Sequence, residues 1–382
     1  MQVPPFELER FFAKHEFNAP HLLCCSDCES ISLKDLLDLE PESRVQFEKL
    51  WLGYSDSAGH PELRQIIATL YQTISKEEVL VHTGAEEAIF NFMNSCLSKG
   101  DKVLVHWPCY QSLAQIPQSI GCEVIRWEAN PLKGWELDLN FLETALKNGT
   151  KLVVFNLPHN PTGYLMEKKT YLKAVELVNK SGAWVFSDEV YRGLEYDSSS
   201  TLPSAVDLCE NAISLGVLSK SYGLAGLRIG WVATKNREIY RRMAEFKDYT
   251  TICNSAPGEF LAALALRHQK ALLDRNRAII QENLHSLDSF FAQYSRHFEW
   301  VRPKASCLAF PKLLNDLSAD NFCSTLLRDT GVLLAPSTQF GFGNHHFRLG
   351  FGRKNLPEAL SKLAEWVSEQ DLDSPLIETP QT

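Results

Sequence analysis

The sequence predicts an α/β protein with a mostly parallel sheet covered by helices on both faces, followed by a smaller α+β part. Three observations carry this. Short apolar, β-branched runs recur through the middle of the chain, and helical segments separate several of them. Nearly every polar motif falls at the carboxyl end of such a run, where open parallel sheets bind ligands. From about Glu259 the text turns long and helical before short strand-like pieces return.

In order, the strands are EEVLVHTG, KVLVHWP, KLVVFNLP, WVFSDEV, AISLGVLS and RIGWVAT, with AEEAIFNFMNSCLSKG a helix after the first. The segment FLAALALRHQKALLDRNRAIIQENLHSLDSFFAQY reads as a long helix leading into the smaller part, whose strands are FEWVRP, SCLAFPKL and HHFRLGFG. We expect an N-terminal segment over 1–44, a large domain over 45–275 and a small one over 276–382, ending in a polar tail, DLDSPLIETPQT.

The 382 residues, 45% hydrophobic and 22% charged, suit a globular protein with more than one core. A net charge of -9 argues against nucleic-acid or anionic-membrane partners. No stretch approaches a membrane span, and MQVPPFELERFF lacks the apolar run of a secretory signal, so a cytoplasmic location is expected. Cys24, Cys25 and Cys28 contain a Cys-x-x-Cys spacing, but no second pair accompanies it. The expected reading is no metal, with a short strand of small residues near the entrance to a site.

The chemistry concentrates in SLGVLSKSYGLAGLRIGW, residues 214–231. A strand ends at Ser219-Lys220, and a Gly-rich loop leads to Arg228. Lys220 offers an amine to an aldehyde. Ser219 and Arg228 offer a hydroxyl and a guanidinium to a phosphate. Gly84, Ala85 and Glu86 follow a strand and open a helix, whose free backbone N–H groups also favour a phosphate. Asp188 stands 32 residues before Lys220 (220 − 188), and Tyr191 follows it by three. Alone, each would pass for an ordinary solvated or turn residue. In this order and spacing they resemble the class I/II aminotransferases, the fold-type-I enzymes that use pyridoxal 5′-phosphate (PLP).

That resemblance covers about Tyr54 to Arg353 and implies a seven-stranded large-domain sheet, PLP as cofactor and a small-molecule α-amino acid as substrate. It implies that Lys220 carries the cofactor and acts as general base, and that Asp188 pairs with the pyridine nitrogen. Tyr191 and Asn160, the latter in FNLPHNPTG, reach the ring's phenolic oxygen. Tyr110, in WPCYQS, stacks on the ring, with Trp107 as its rival. Glu86 contributes its backbone N–H, not its carboxylate. Arg348, in HHFRLGFGR, clamps the substrate carboxylate, with Arg353 as its rival. Tyr54 reaches the neighbouring subunit's phosphate, which implies a homodimer.

The front departs from ordinary members. PPFELERFFAKHEFNAPHLLCCSDCESISLKDLL carries Glu7, Glu9, Asp27 and Glu29, acidic groups that complement a cationic substrate end. This segment resembles the capreomycidine synthase and enduracididine synthase group, which dehydrates and cyclises hydroxylated arginines. It implies Glu9 and Asp27 as guanidinium ligands. Ordinary transamination is the alternative, and it shares every cofactor residue. A related arginine oxidase or desaturase activity is a further reading, and a non-catalytic PLP-binding regulator is one of a different class, although no basic or helix-turn-helix segment is present.

Overall fold

A computed structural model describes residues 2–314 and 317–370. The polar tail from Asp371 to Thr382 lies outside the described residues. Near the front, strand β1 (His21–Leu22) follows the helix Glu7–His15. The large sheet then comprises β2 (Val79–His82), β3 (Lys102–Trp107), β4 (Glu123–Glu128), β5 (Leu152–Asn156), β6 (Trp184–Asp188), β7 (Ala212–Val217) and β8 (Gly230–Ala233). Their spatial order is β2-β8-β7-β6-β5-β3-β4. Every neighbouring pair is parallel except those made by β8, which runs against both β2 and β7.

The central strands are buried at every position because helices cover both faces, which is why they read as unbroken apolar runs. β4 differs. It is an edge strand, EVIRWE, with charged residues on its open side, and its period hides it from an apolar-run reading. The long helical text breaks at His268 into Ala256–Arg267 and Gln269–Gln293. The boundary expected after residue 275 falls inside the second helix, which we propose links the two parts.

The remaining strands are two to four residues long: β9 (Phe298–Glu299), β10 (Leu308–Ala309), β11 (Lys312–Leu313), β12 (Val332–Leu333), β13 (Ala335–Pro336) and β14 (Phe347–Gly350). β14 lies between β10 and β13, antiparallel to each. The front of the chain is stitched onto this region, since β1 pairs in parallel with β12. Gly350 N–H donates to the Leu23 carbonyl (2.8 Å), and Glu29 N–H to the Gly352 carbonyl (2.8 Å). A Cβ at Gly350 would sit 1.9 Å from the Cys25 carbonyl oxygen. Glycine is therefore what lets residues 23–29 lie against β14 and reach the ends of β6 and β7. No helix among the described residues is long and apolar enough to cross a membrane.

Candidate active site

The carboxyl ends of β5, β6 and β7 open onto a cavity of about 350 Å³ lined by Glu9, Tyr110, Asn160, Asp188, Lys220 and Arg228, among others. Lys220, just beyond β7, is partly open to this space, and its amine donates to the Ser26 hydroxyl (2.7 Å). Burial first, and Arg348 in addition, lower its pKa, while Asp27 and Glu9 oppose them. The amine is thus biased toward the neutral form a nucleophile or base requires.

Asp188 ends β6 and is buried. Desolvation pushes its carboxyl up to about 7, although the Val190 N–H it accepts and the nearby Lys220 pull the other way. A cation brought against Asp188 would restore its charge. Asn156 braces this floor: its Nδ2 donates to the Asp188 carbonyl (3.2 Å), and its Oδ1 accepts from Asn160 N–H (2.7 Å).

Opposite the floor lies an anion cradle. Gly84 has φ 83°, and a Cβ there would meet Arg228 Nη2 at 2.6 Å. Arg228 Nη1 donates to Ser219 Oγ (3.4 Å), and Ala85 and Glu86 open the helix Ala85–Cys96. Guanidinium, hydroxyl and free helix N–H groups converge without a side chain at residue 84. Amine, buried carboxylate and cradle together fit the aldehyde, ring nitrogen and phosphate of PLP.

Tyr110, on the wall, donates to Glu9 Oε1 (2.9 Å) and packs against Phe6 with ring centroids 4.9 Å apart. Trp107 lies beneath the Arg126 guanidinium at 4.1 Å and lines a different cavity, so Tyr110 alone of the two faces this one. Tyr191 donates to the Ser26 carbonyl (3.0 Å), and burial raises its phenol pKa. Arg348 is buried. Its Nη2 donates to the Cys24 carbonyl (2.9 Å) and its Nη1 to Asn160 Oδ1 (3.3 Å), with Phe12 and Phe340 against it at 5.5 and 5.2 Å. The front helix is clipped in place by Gln111, which accepts from Glu7 N–H (2.9 Å) and donates to the Pro5 carbonyl (3.0 Å).

Not every expected residue joins the cavity. Asp27, expected to receive a substrate guanidinium, does not line this cavity, and its carboxylate accepts from the chain's own Arg353 (2.9 and 3.1 Å). A residue 326 positions away supplies the cation, so no sequence spacing announces the pair. Because both side chains are partly exposed (12% and 31%), Asp27→Ala is expected to cost about 1–2 kcal/mol, read as a lower melting temperature. Glu7 faces the neighbouring cavity, and Glu29 accepts from Lys354 N–H. Tyr54 is 84% exposed and lines a separate cleft with Trp51, His60 and Phe260. Within one chain it does not meet the cavity.

Ser26, Asn156 and Gln111 went unnoticed in the sequence. Asn156 carried a signal, a polar residue closing an apolar strand in FNLP, whereas Ser26 and Gln111 matter only through long-range contacts. Among the described residues no group of three or more His, Cys, Asp and Glu forms a metal site. Cys24 and Cys28 act through their backbones, on Arg348 and on the Lys220 carbonyl.

A cavity with this amine, carboxylate and cradle at the ends of a parallel sheet defines a PLP-dependent enzyme acting on amino acids. The chain belongs to the aminotransferase class I and II family, whose pattern matches residues 25–363. It is 27% identical over 367 residues to capreomycidine synthase of Streptomyces vinaceus, covering 95% of this chain and 94% of that one. It is also 27% identical to an aspartate aminotransferase of Sulfurisphaera tokodaii, over 85% of each chain. A PLP-dependent aminotransferase of Streptococcus suis superposes with a TM-score of 0.91 at 33% identity, covering 98% of this chain and all of that one. The PLP-dependent cyclase OrfR superposes at 0.87 and 28% identity, covering 96% and 98%.

Proposed function

We propose that this enzyme dehydrates a hydroxylated L-arginine and closes its guanidine nitrogen onto the side chain, giving a cyclic guanidino amino acid. The observation that carries this is Glu9, a carboxylate from the front helix that lines the cavity beside Tyr110. A carboxylate at that wall suits a guanidinium. The similarity to capreomycidine synthase across nearly the whole chain supports it.

PLP, when bound, supplies an aldehyde for an amine and a ring that withdraws electrons from the substrate Cα. In this reading the Lys220 amine would hold that aldehyde, and its Nζ is the group placed to accept the Cα proton. Asp188 keeps the ring nitrogen protonated. Ser219, Arg228 and the backbone N–H groups of Gly84, Ala85 and Glu86 hold the phosphate. Tyr110 stacks on the ring face, and Asn160 and Tyr191 serve its phenolic oxygen. The Arg348 guanidinium would clamp the substrate carboxylate, with Asn160 alongside, and so orient the Cα–H toward Lys220. The side-chain hydroxyl leaves as water, and a guanidine nitrogen takes its place, so the net change is the loss of one water. Tyr54, exposed on one chain, completes the phosphate site of a second copy in a homodimer.

Transamination is the second reading, favoured by the aminotransferase names among the relatives. To separate the two, the enzyme is incubated with arginine and its hydroxylated derivatives without a 2-oxo acid. A catalytic product lighter by one water supports cyclisation. A single turnover that resumes only when a 2-oxo acid is added overturns it. Glu9→Ala is expected to weaken arginine-type substrates about 10–100-fold, as loss of a charged hydrogen bond implies, with cofactor absorbance retained. Unchanged KM for those substrates would remove Glu9 from the reading.

A further inference from the structure

Glu86 was assigned above only through its backbone. Its side chain also lines the cavity, and its Oε2 is buried without a hydrogen-bond partner. A buried carboxylate oxygen without a full hydrogen-bond partner is costly, and a donor brought into the cavity would offset that cost. Besides burial, the groups that act on the Glu86 carboxyl are the Ser112 hydroxyl, close enough to lower its pKa as a donor, and the carboxylates of Glu9 and Asp188, which raise it. No resident cation faces it among these. A guanidinium presents five N–H donors in a planar fork and needs more than one acceptor. Glu9 Oε1 already accepts from Tyr110, and Asp27 is occupied by Arg353.

We propose that the Glu86 carboxylate is a specificity residue, which receives the cationic end of the substrate together with Glu9. This rests on the guanidinium reading given above and supplies the acceptor that Asp27 does not. The assignment of its backbone N–H to the phosphate is unaffected, since a helix-terminal residue can turn its side chain away from the group its N–H meets. Burial, reinforced by Glu9 and Asp188, raises the Glu86 carboxyl to about 7, so at neutral pH a proton competes with the incoming cation. Glu9 on the front helix, Tyr110 on the wall and Asp188 at the end of β6 are the titratable groups acting around it.

The test compares the holoenzyme and Glu86→Gln in spectral titrations with arginine and with citrulline, whose urea has the same shape without the charge. The wild type is expected to prefer arginine, and Glu86→Gln to lower the arginine-to-citrulline affinity ratio about tenfold or more. Arginine affinity in the wild type should fall as pH drops through about 7, and this slope should flatten in Glu86→Gln. Glu86→Asp, which keeps the charge on a shorter stem, should recover part of the ratio. A wild type that prefers arginine beside a variant with an unchanged ratio overturns this proposal and leaves the guanidinium reading standing. A wild type without preference overturns that reading itself. An equal loss for both amino acids with weaker cofactor retention makes Glu86 a cofactor residue and overturns the specificity role.

Discussion

Lys220→Ala is expected to abolish the visible cofactor absorbance of the purified enzyme and to lower turnover by about 10⁴-fold, the upper end of what a positioned base contributes. The magnitude follows from two tasks converging on one nitrogen. Nζ is the amine offered to the aldehyde, and it is the base nearest the Cα proton in the proposed arrangement. The cavity prepares it for both: burial and Arg348 favour the neutral form, and Ser26 aims it with a 2.7 Å hydrogen bond. Ser26→Ala should then cost far less, because only the aim is lost. Retained absorbance in Lys220→Ala would dismiss the lysine as the cofactor's holder.

Asp188→Asn ranks second. The variant keeps shape and hydrogen bonding but gives the ring nitrogen no negative partner, and turnover should fall about 10³-fold, or about 4 kcal/mol of barrier. The phosphate cradle is untouched, so cofactor should still be retained. The same residue leaves a signature in the cofactor-free protein. Its folded carboxyl sits near 7, above its usual 3.8, so the folded state binds a proton that the unfolded state releases. Stability of the apo-protein must therefore decline as pH rises from about 4 to about 7, with Glu86 adding a slope of the same sign. Thermal melts of the apo Asp188→Asn variant should lose much of that decline, and an unchanged slope would contradict the assignment.

The large sheet was legible because strands buried on both faces must be apolar throughout, as β5 and β7 are. β4 was not, since an edge strand carries Glu123, Arg126 and Glu128. The reversed direction of β8 was equally hidden. It comes from the short loop that brings Arg228 back beside Ser219, and direction leaves no mark on composition. In the smaller part the expected strands shrink to two residues around Pro311, because proline interrupts the ladder. Lys220, Asp188 and Arg228 were readable through their spacing. The fate of Asp27 was not, because its partner comes from the far end of the chain and only folding brings the two together.

The Gln111 clip separates two tasks that most pockets mix. The front helix supplies Glu9 to the cavity, Phe6 just before it packs on Tyr110 and Phe12 on Arg348, and it is fastened to the large domain at Gln111 and Tyr110 and by one deeply buried side chain, Leu8. The groups that fit PLP all lie elsewhere in the chain. The enzyme is in this sense modular. Exchanging residues 5–16 would therefore change the charge of one wall, and with it the support of Tyr110 and Arg348, while Lys220, Asp188 and the phosphate cradle stay in place.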